Sequence, residues 1–72
     1  MNMAELTHVI SKRYFLSKAI SEEILKTVLE TIREELKQKH LVRLRNFGTF
    51  QARKSHGKVR AKFNDSKNFF KL

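Results

Sequence analysis

Cysteine and proline are absent from this 72-residue sequence, and glycine occurs only at Gly48 and Gly57. Without cysteine, neither a disulfide framework nor a thiolate metal site can staple the fold. No apolar run approaches the roughly 20 residues of a membrane span, and no signal peptide is visible. The chain therefore reads as soluble and cytoplasmic, and it is not expected to sit in a membrane. Acidic residues are few: 7 Asp+Glu stand against 16 Lys+Arg, for a net charge of +9. What is present argues for a folded chain, with six Phe, one Tyr and 40% hydrophobic residues. The length fits one domain, residues 1–72, of a size that buries only about 60% of its unfolded surface.

The charge is unevenly placed. Residues 1–40 carry seven basic side chains (Lys12, Arg13, Lys18, Lys26, Arg33, Lys37, Lys39) and six acidic ones, whereas residues 41–72 carry nine basic side chains and only Asp65. The front half reads as a neutral scaffold and the back half as a cationic surface. Such a surface suits a polyanion: DNA, RNA or an anionic membrane.

Asn2 and Glu5 have capping-box spacing and open a first helix over residues 3–13, with Leu6, Val9 and Ile10 on one face. Tyr14-Phe15-Leu16 breaks the helical pattern, and Ser17 is a good N-cap for a second helix that runs to about Lys39. Ile20, Ile24, Leu25, Val28, Leu29, Ile32 and Leu36 sweep about 180° of that helix, wider than the ~100° stripe that covers one core. A face so wide is expected to meet two neighbours, one of them another chain.

After His40 the period changes from 3.6 to 2. In Leu41–Arg45, Val42 and Leu44 point one way while Arg43 and Arg45 point the other. Asn46-Phe47-Gly48 reads as a turn, because Asn and Gly tolerate the left-handed backbone region. A second strand starts near Thr49, with Phe50 and Ala52 facing inward. His56-Gly57 is the expected tip of a short hairpin. In the third strand Val59, Ala61 and Phe63 face inward while Lys58, Arg60 and Lys62 face outward. Asn64-Asp65-Ser66 then offers caps for a short terminal helix holding Phe69, Phe70 and Leu72. The expected fold is α+β: two N-terminal helices, a three-stranded antiparallel sheet and a short C-terminal helix.

Catalytic chemistry is not readable. His8, His40 and His56 are scattered, with no HExxH spacing, and Asp65 is the only Asp. There is no nucleophile–base–acid arrangement and no phosphate-cradling glycine loop. An enzyme is not expected, nor a metal or cofactor. The informative feature is the outward cations of the sheet. Arg43, Arg45, Arg53, Lys58, Arg60 and Lys62 occupy alternating positions and should share one face, which suits the repeating phosphates of a nucleic acid. A merely solubilising face mixes both signs, and this one has no acid before Asp65. Phe47, Phe50 and Phe63 read as core, while Phe69 and Phe70 cannot both face inward.

Asn46-Phe47-Gly48-Thr49-Phe50 resembles the Gly-Phe-Gly-Thr-Phe signature of the HU/IHF bacterial histone-like proteins. The opening Met1-Asn2 to Leu6, the Leu16-Ser17-Lys18 start of the second helix, and Phe63 followed four residues on by Lys67 fit the same pattern. The resemblance spans nearly the whole chain. It implies an intertwined homodimer, with helices of residues 1–40 as the base and sheets of residues 41–72 as a saddle for the DNA minor groove. The dimer core is then expected at Val28, Leu29, Ile32, Leu44, Phe47, Phe50 and Phe63.

The chain departs from the family at four places. The family's long arm, tipped by a wedging proline, is replaced by only twelve residues between Phe50 and Phe63, and the chain has no proline. Asn46 stands for the first signature Gly. Ser66 stands for the Gly before the terminal Lys, and Phe70 for a basic residue three positions after Lys67. Arg53 and Lys67 match family DNA contacts, and Asn46 is counted with them at the signature turn. Arg43, Arg45, Lys54, Lys58, Arg60 and Lys62 are assigned to nucleic acid from charge and alternation.

The expected function is sequence-tolerant, electrostatic binding of double-stranded DNA in the bacterial nucleoid, with weak bending. A helix-turn-helix reading is disfavoured, since five glutamates on the second helix would repel phosphates. The alternatives are an RNA- or ribosome-associated basic protein, and a subunit that heterodimerises with a longer-armed relative.

Overall fold

The computed structural model describes residues 1–71. The elements run α1 (Met3–Tyr14), α2 (Lys18–Lys37), β1 (Val42–Leu44), β2 (Gly48–Ser55) and β3 (Lys58–Asp65). The chain divides into two compact units, residues 1–31 and 32–72. Among the described residues, no helix is long and apolar enough to cross a membrane.

In the first unit, α1 starts where the sequence places it: the Glu5 amide donates to Asn2 Oδ1 at 2.9 Å, and the Leu6 amide to the Asn2 carbonyl. It ends on Phe15, which takes the left-handed conformation (φ 56°), while the Leu16 amide donates to the Ser11 carbonyl at 3.1 Å. Ser17 then caps α2, accepting from the Ile20 amide at 3.1 Å. The buried side chains here are small hydroxyls, Thr7, Ser11 and Ser21. Two of them satisfy their hydroxyls locally, Ser11 by donating to the His8 carbonyl and Ser21 to the Ser17 carbonyl, each at 2.9 Å. Several large apolar side chains of both helices stay accessible, Leu6, Val9, Ile20 and Ile24 among them.

The end of α2 closes two residues earlier than expected. Lys39 adopts φ 61°, the Lys39 amide donates to the Leu36 carbonyl, and the His40 amide donates to the Glu35 carbonyl at 3.0 Å. That is a Schellman closure with a lysine at the left-handed position. His40 Nδ1 also lies 2.9 Å from Glu35 Oε2, which ties the side chain back to the last turn.

The second unit holds an antiparallel sheet in the order β1-β2-β3. Strand β1 is shorter than expected: it ends at Leu44, and Arg45 falls in the following turn. The cause is Asn46, whose φ of 60° reverses the chain so that the Phe47 amide donates to the Leu44 carbonyl at 3.0 Å. At the other end of β2, His56 (φ 50°) and Gly57 (φ 79°) form a two-residue loop with both central residues left-handed. This is the type I′ geometry that matches strand twist. It fixes the register, pairing Ser55 with Lys58, Arg53 with Arg60, Ala52 with Ala61 and Phe50 with Phe63.

A phenylalanine cluster packs one side of this unit. Ring centroids lie 5.3 Å apart for Phe47–Phe63, 4.9 Å for Phe50–Phe63 and 4.8 Å for Phe47–Phe69. Gly48 makes the close approach possible, because a Cβ there would meet the Asn64 carbonyl oxygen at 2.5 Å and the Phe63 ring at 2.6 Å. Of the two terminal aromatics, Phe69 joins the cluster and Phe70 stays exposed.

The terminal helix expected after Ser66 is, among the described residues, a run of turns over residues 67–70. The Phe69 amide donates to the Ser66 carbonyl and the Lys71 amide to the Asn68 carbonyl, while Ser66 Oγ accepts from the Asn68 amide. A segment this short has too few propagating bonds to offset helix nucleation. Leu72, assigned to that helix, lies outside the described residues.

Candidate nucleic-acid interface

Register divides the sheet into two chemically distinct faces. One carries Val42, Leu44, Phe50, Ala52, Val59, Ala61 and Phe63. The other carries Arg43 paired with Thr49, Thr49 with Asn64, Gln51 with Lys62, Arg53 with Arg60, and Ser55 with Lys58. Five cations, Arg43, Arg53, Lys58, Arg60 and Lys62, therefore share a face that bears no carboxylate. Asp65, opposite Gly48, belongs to the apolar side. The five cations are all exposed and make no ion pair among the described residues.

Like charges placed directly opposite one another destabilise a sheet. Arg53 faces Arg60 across the hairpin, so this arrangement is maintained against a local electrostatic cost that a polyanion would relieve. Beyond Phe50, the last β2 residue paired with β1, the hairpin continues as a two-stranded ribbon. Most of the cationic face lies on that ribbon.

The remaining assigned residues fall elsewhere. Arg45 and Asn46 leave the sheet for the turn after β1, where with Arg43, Thr49, Asn64, Asp65 and Ser66 they line a shallow hollow of about 300 Å³. Lys67 lies one residue beyond Ser66, whose amide donates to the Phe47 carbonyl at 2.9 Å. That bond ties the start of the tail to the signature turn. Lys54 corrects the alternation argument. It pairs with Val59 on the side of Phe50 and Ala52, not in the Arg53 row, because a period of two puts even-numbered β2 residues on the apolar face. The charge of the stretch signalled Lys54, and its parity argues against placing it with the others.

Thr49, Gln51, Ser55 and Asn64, which the sequence reading leaves out, share the cationic face. They intersperse neutral hydrogen-bonding groups among the cations. The two-residue loop was the available signal, since it fixes every cross-strand pair.

The residues assigned to a dimer core remain accessible in the single chain. Val28 is 49% exposed, Phe47 44% and Phe63 38%. Leu29 and Leu44 are exposed as well, and Ile32 and Phe50 are half-buried. Leu36 is the only buried hydrophobic side chain among the described residues.

Comparison with known proteins places this geometry. Over 53 residues, 74% of the chain, it is 40% identical to the DNA-binding protein HU-1 of Halalkalibacterium halodurans. Over 51 residues, 71% of the chain, it is 43% identical to the DNA-binding protein HU of Buchnera aphidicola. These matches span 59% and 55% of the two relatives' own lengths. The solved structure of an HU mutant from Thermotoga maritima superposes with a TM-score of 0.85 at 32% identity, covering 99% of this chain and 96% of that one. A co-crystal structure of HU with DNA from Anabaena shares the fold, with a TM-score of 0.82 at 24% identity over 96% of this chain and 92% of that one. The family model described as bacterial DNA-binding protein matches residues 1–68. The chain belongs to this HU/IHF family of bacterial DNA-binding proteins.

Proposed function

We propose that this protein binds double-stranded DNA electrostatically and with little regard to sequence, as a nucleoid-associated architectural protein of the bacterial cytoplasm. The observation that carries this reading is the sheet face of Arg43, Arg53, Lys58, Arg60 and Lys62, free of carboxylates. Each phosphate that such a face neutralises releases condensed counterions, a gain that does not depend on base sequence. The role is one of binding and not of catalysis. HU proteins are the relatives it matches, and one of its structural neighbours was crystallised with DNA.

The working form is a homodimer, with residues 1–40 supplying its helical base and residues 41–72 its DNA-binding part. Support comes from the apolar side chains a lone chain leaves in water, on α2 (Ile20, Ile24, Val28, Leu29) and on the sheet (Leu44, Val59, Phe63). Apolar exposure on this scale marks a surface made for another protein surface. The short ribbon and polar tip support weak bending.

Salt titration tests the reading. Arg53→Ala should weaken binding to unrelated duplexes alike and lower the slope of log K against log salt by about one unit. Lys54→Ala, on the other face, should change the slope less. Strong preference for one sequence, or tighter binding to an RNA duplex of equal length, would overturn the assignment.

A further inference from the structure

The corner between α1 and α2 has a chemistry that the sheet does not explain. Phe15 is 95% exposed and Tyr14 64% exposed, and neither ring stacks on another aromatic among the described residues. Phe15 also occupies a left-handed backbone position (φ 56°) at which helices usually place glycine. Among the described residues, three other non-glycine residues take such positions, Lys39, Asn46 and His56, all polar. Only here, among the described residues, does a bulky apolar ring take a left-handed conformation while staying exposed in the single chain. Residues held in strained conformations cluster at functional sites.

Three cations flank the two rings within residues 12–18: Lys12 and Arg13 in the last turn of α1, and Lys18 at the first residue of α2. All three are exposed and unpaired among the described residues. Basic residues in a last helical turn answer the helix dipole, which accounts for Lys12 and Arg13. It does not account for the rings beside them.

We infer that the Tyr14–Phe15 corner is a second nucleic-acid site, which takes the unpaired bases of single-stranded DNA. Bases stack on the two rings, and the phosphates on either side meet Lys12, Arg13 and Lys18. Rings interleaved with cations are the arrangement that binds single strands without sequence preference. A duplex hides its base faces in its own stack, so it would engage the cations and leave the rings idle. An acidic peptide would do the same. The site does not depend on the duplex reading, since it uses none of the sheet residues.

Tyr14 is the only tyrosine in the chain, so its ring resonances in the NMR spectrum report this corner alone. A ten-residue thymidine oligonucleotide added to the full chain should shift and broaden them. Phe15→Gly should weaken oligonucleotide binding about tenfold, the loss of roughly one stacked base, while leaving duplex affinity within about twofold. Because glycine suits the backbone there, the same variant should melt at a higher temperature than the parent. Arg53→Ala should leave the Tyr14 shift intact even where duplex binding falls, which separates this site from the sheet. Four results would overturn the inference: Tyr14 resonances that do not move, an equal shift with a poly-glutamate peptide, loss of the shift in Arg53→Ala, or a Phe15→Gly chain that is less stable or changes oligomeric state.

Discussion

Gly48 shows how one residue sets the contact on which the sheet depends. Its missing Cβ leaves room for the Asn64 carbonyl and the Phe63 ring, both of which a methyl group would overlap. Backbone cannot yield as a flexible side chain does, so Gly48→Ala should cost about 1–3 kcal/mol, the usual range for overpacking. The check is urea unfolding, with a lower midpoint at an unchanged m-value. Equal midpoints would mean that β3 moves aside without penalty. Two residues earlier Asn46 is left-handed at φ 60°, and there the sequence was legible because Asn tolerates that region. Lys54 is assigned to nucleic acid from charge and alternation. Charge drew attention to it, but orientation follows parity, and parity puts it opposite Val59 beside the apolar row.

Among the elements, those whose boundaries are written in local chemistry were legible. The Asn2 cap, the Ser17 cap and the hairpin loop all stand where the sequence places them, because each is closed by bonds spanning only a few residues. The ends misjudged, of β1, α2 and the tail, are closed by backbone-to-backbone hydrogen bonds that apolar periodicity does not signal. Strand β1 stops where Asn46 turns the chain, and the tail folds into turns while the Ser66 amide reaches back to Phe47, nineteen positions earlier in the sequence. Apolar periodicity carries no record of that bond. The hairpin itself offers an element-scale test. His56 sits at φ 50° in a loop type that favours Asn-Gly, so His56→Asn should gain about 0.5–1 kcal/mol by easing the left-handed strain. Thermal melting of the two chains side by side decides it, and an unchanged or lower melting point would show that the loop is not strained.

For the molecule as a whole, the exposed apolar side chains and the short ribbon make separate demands. On the proposed homodimer reading, unfolding should depend on protein concentration, with the melting temperature rising as the chain is concentrated. A concentration-independent transition would remove the dimer. On the same reading, the reach of the ribbon sets how far the proposed dimer bends DNA. Beyond Phe50 it extends over Gln51–Ser55, about 17 Å at 3.3 Å per residue, and ends on Ser55, His56 and Gly57. That length crosses a minor groove about 6 Å wide, but it falls short of following the duplex around to its far side. Unstacking a base step costs a few kcal/mol, which architectural proteins offset with an inserted apolar wedge and the added contact a bend brings. This tip is polar and the chain has no proline, so neither compensation is available at the arm. Binding should therefore leave DNA gently curved, and gel phasing or single-molecule imaging should find small bend angles at saturating protein. A longer arm with an apolar tip, grafted between Arg53 and Arg60, should restore sharp kinks while keeping Arg43, Arg53, Arg60 and Lys62 of the sheet face. Sharp bending by the native chain would mean that the DNA is deformed by something other than a wedge, and the account of the short ribbon would fail.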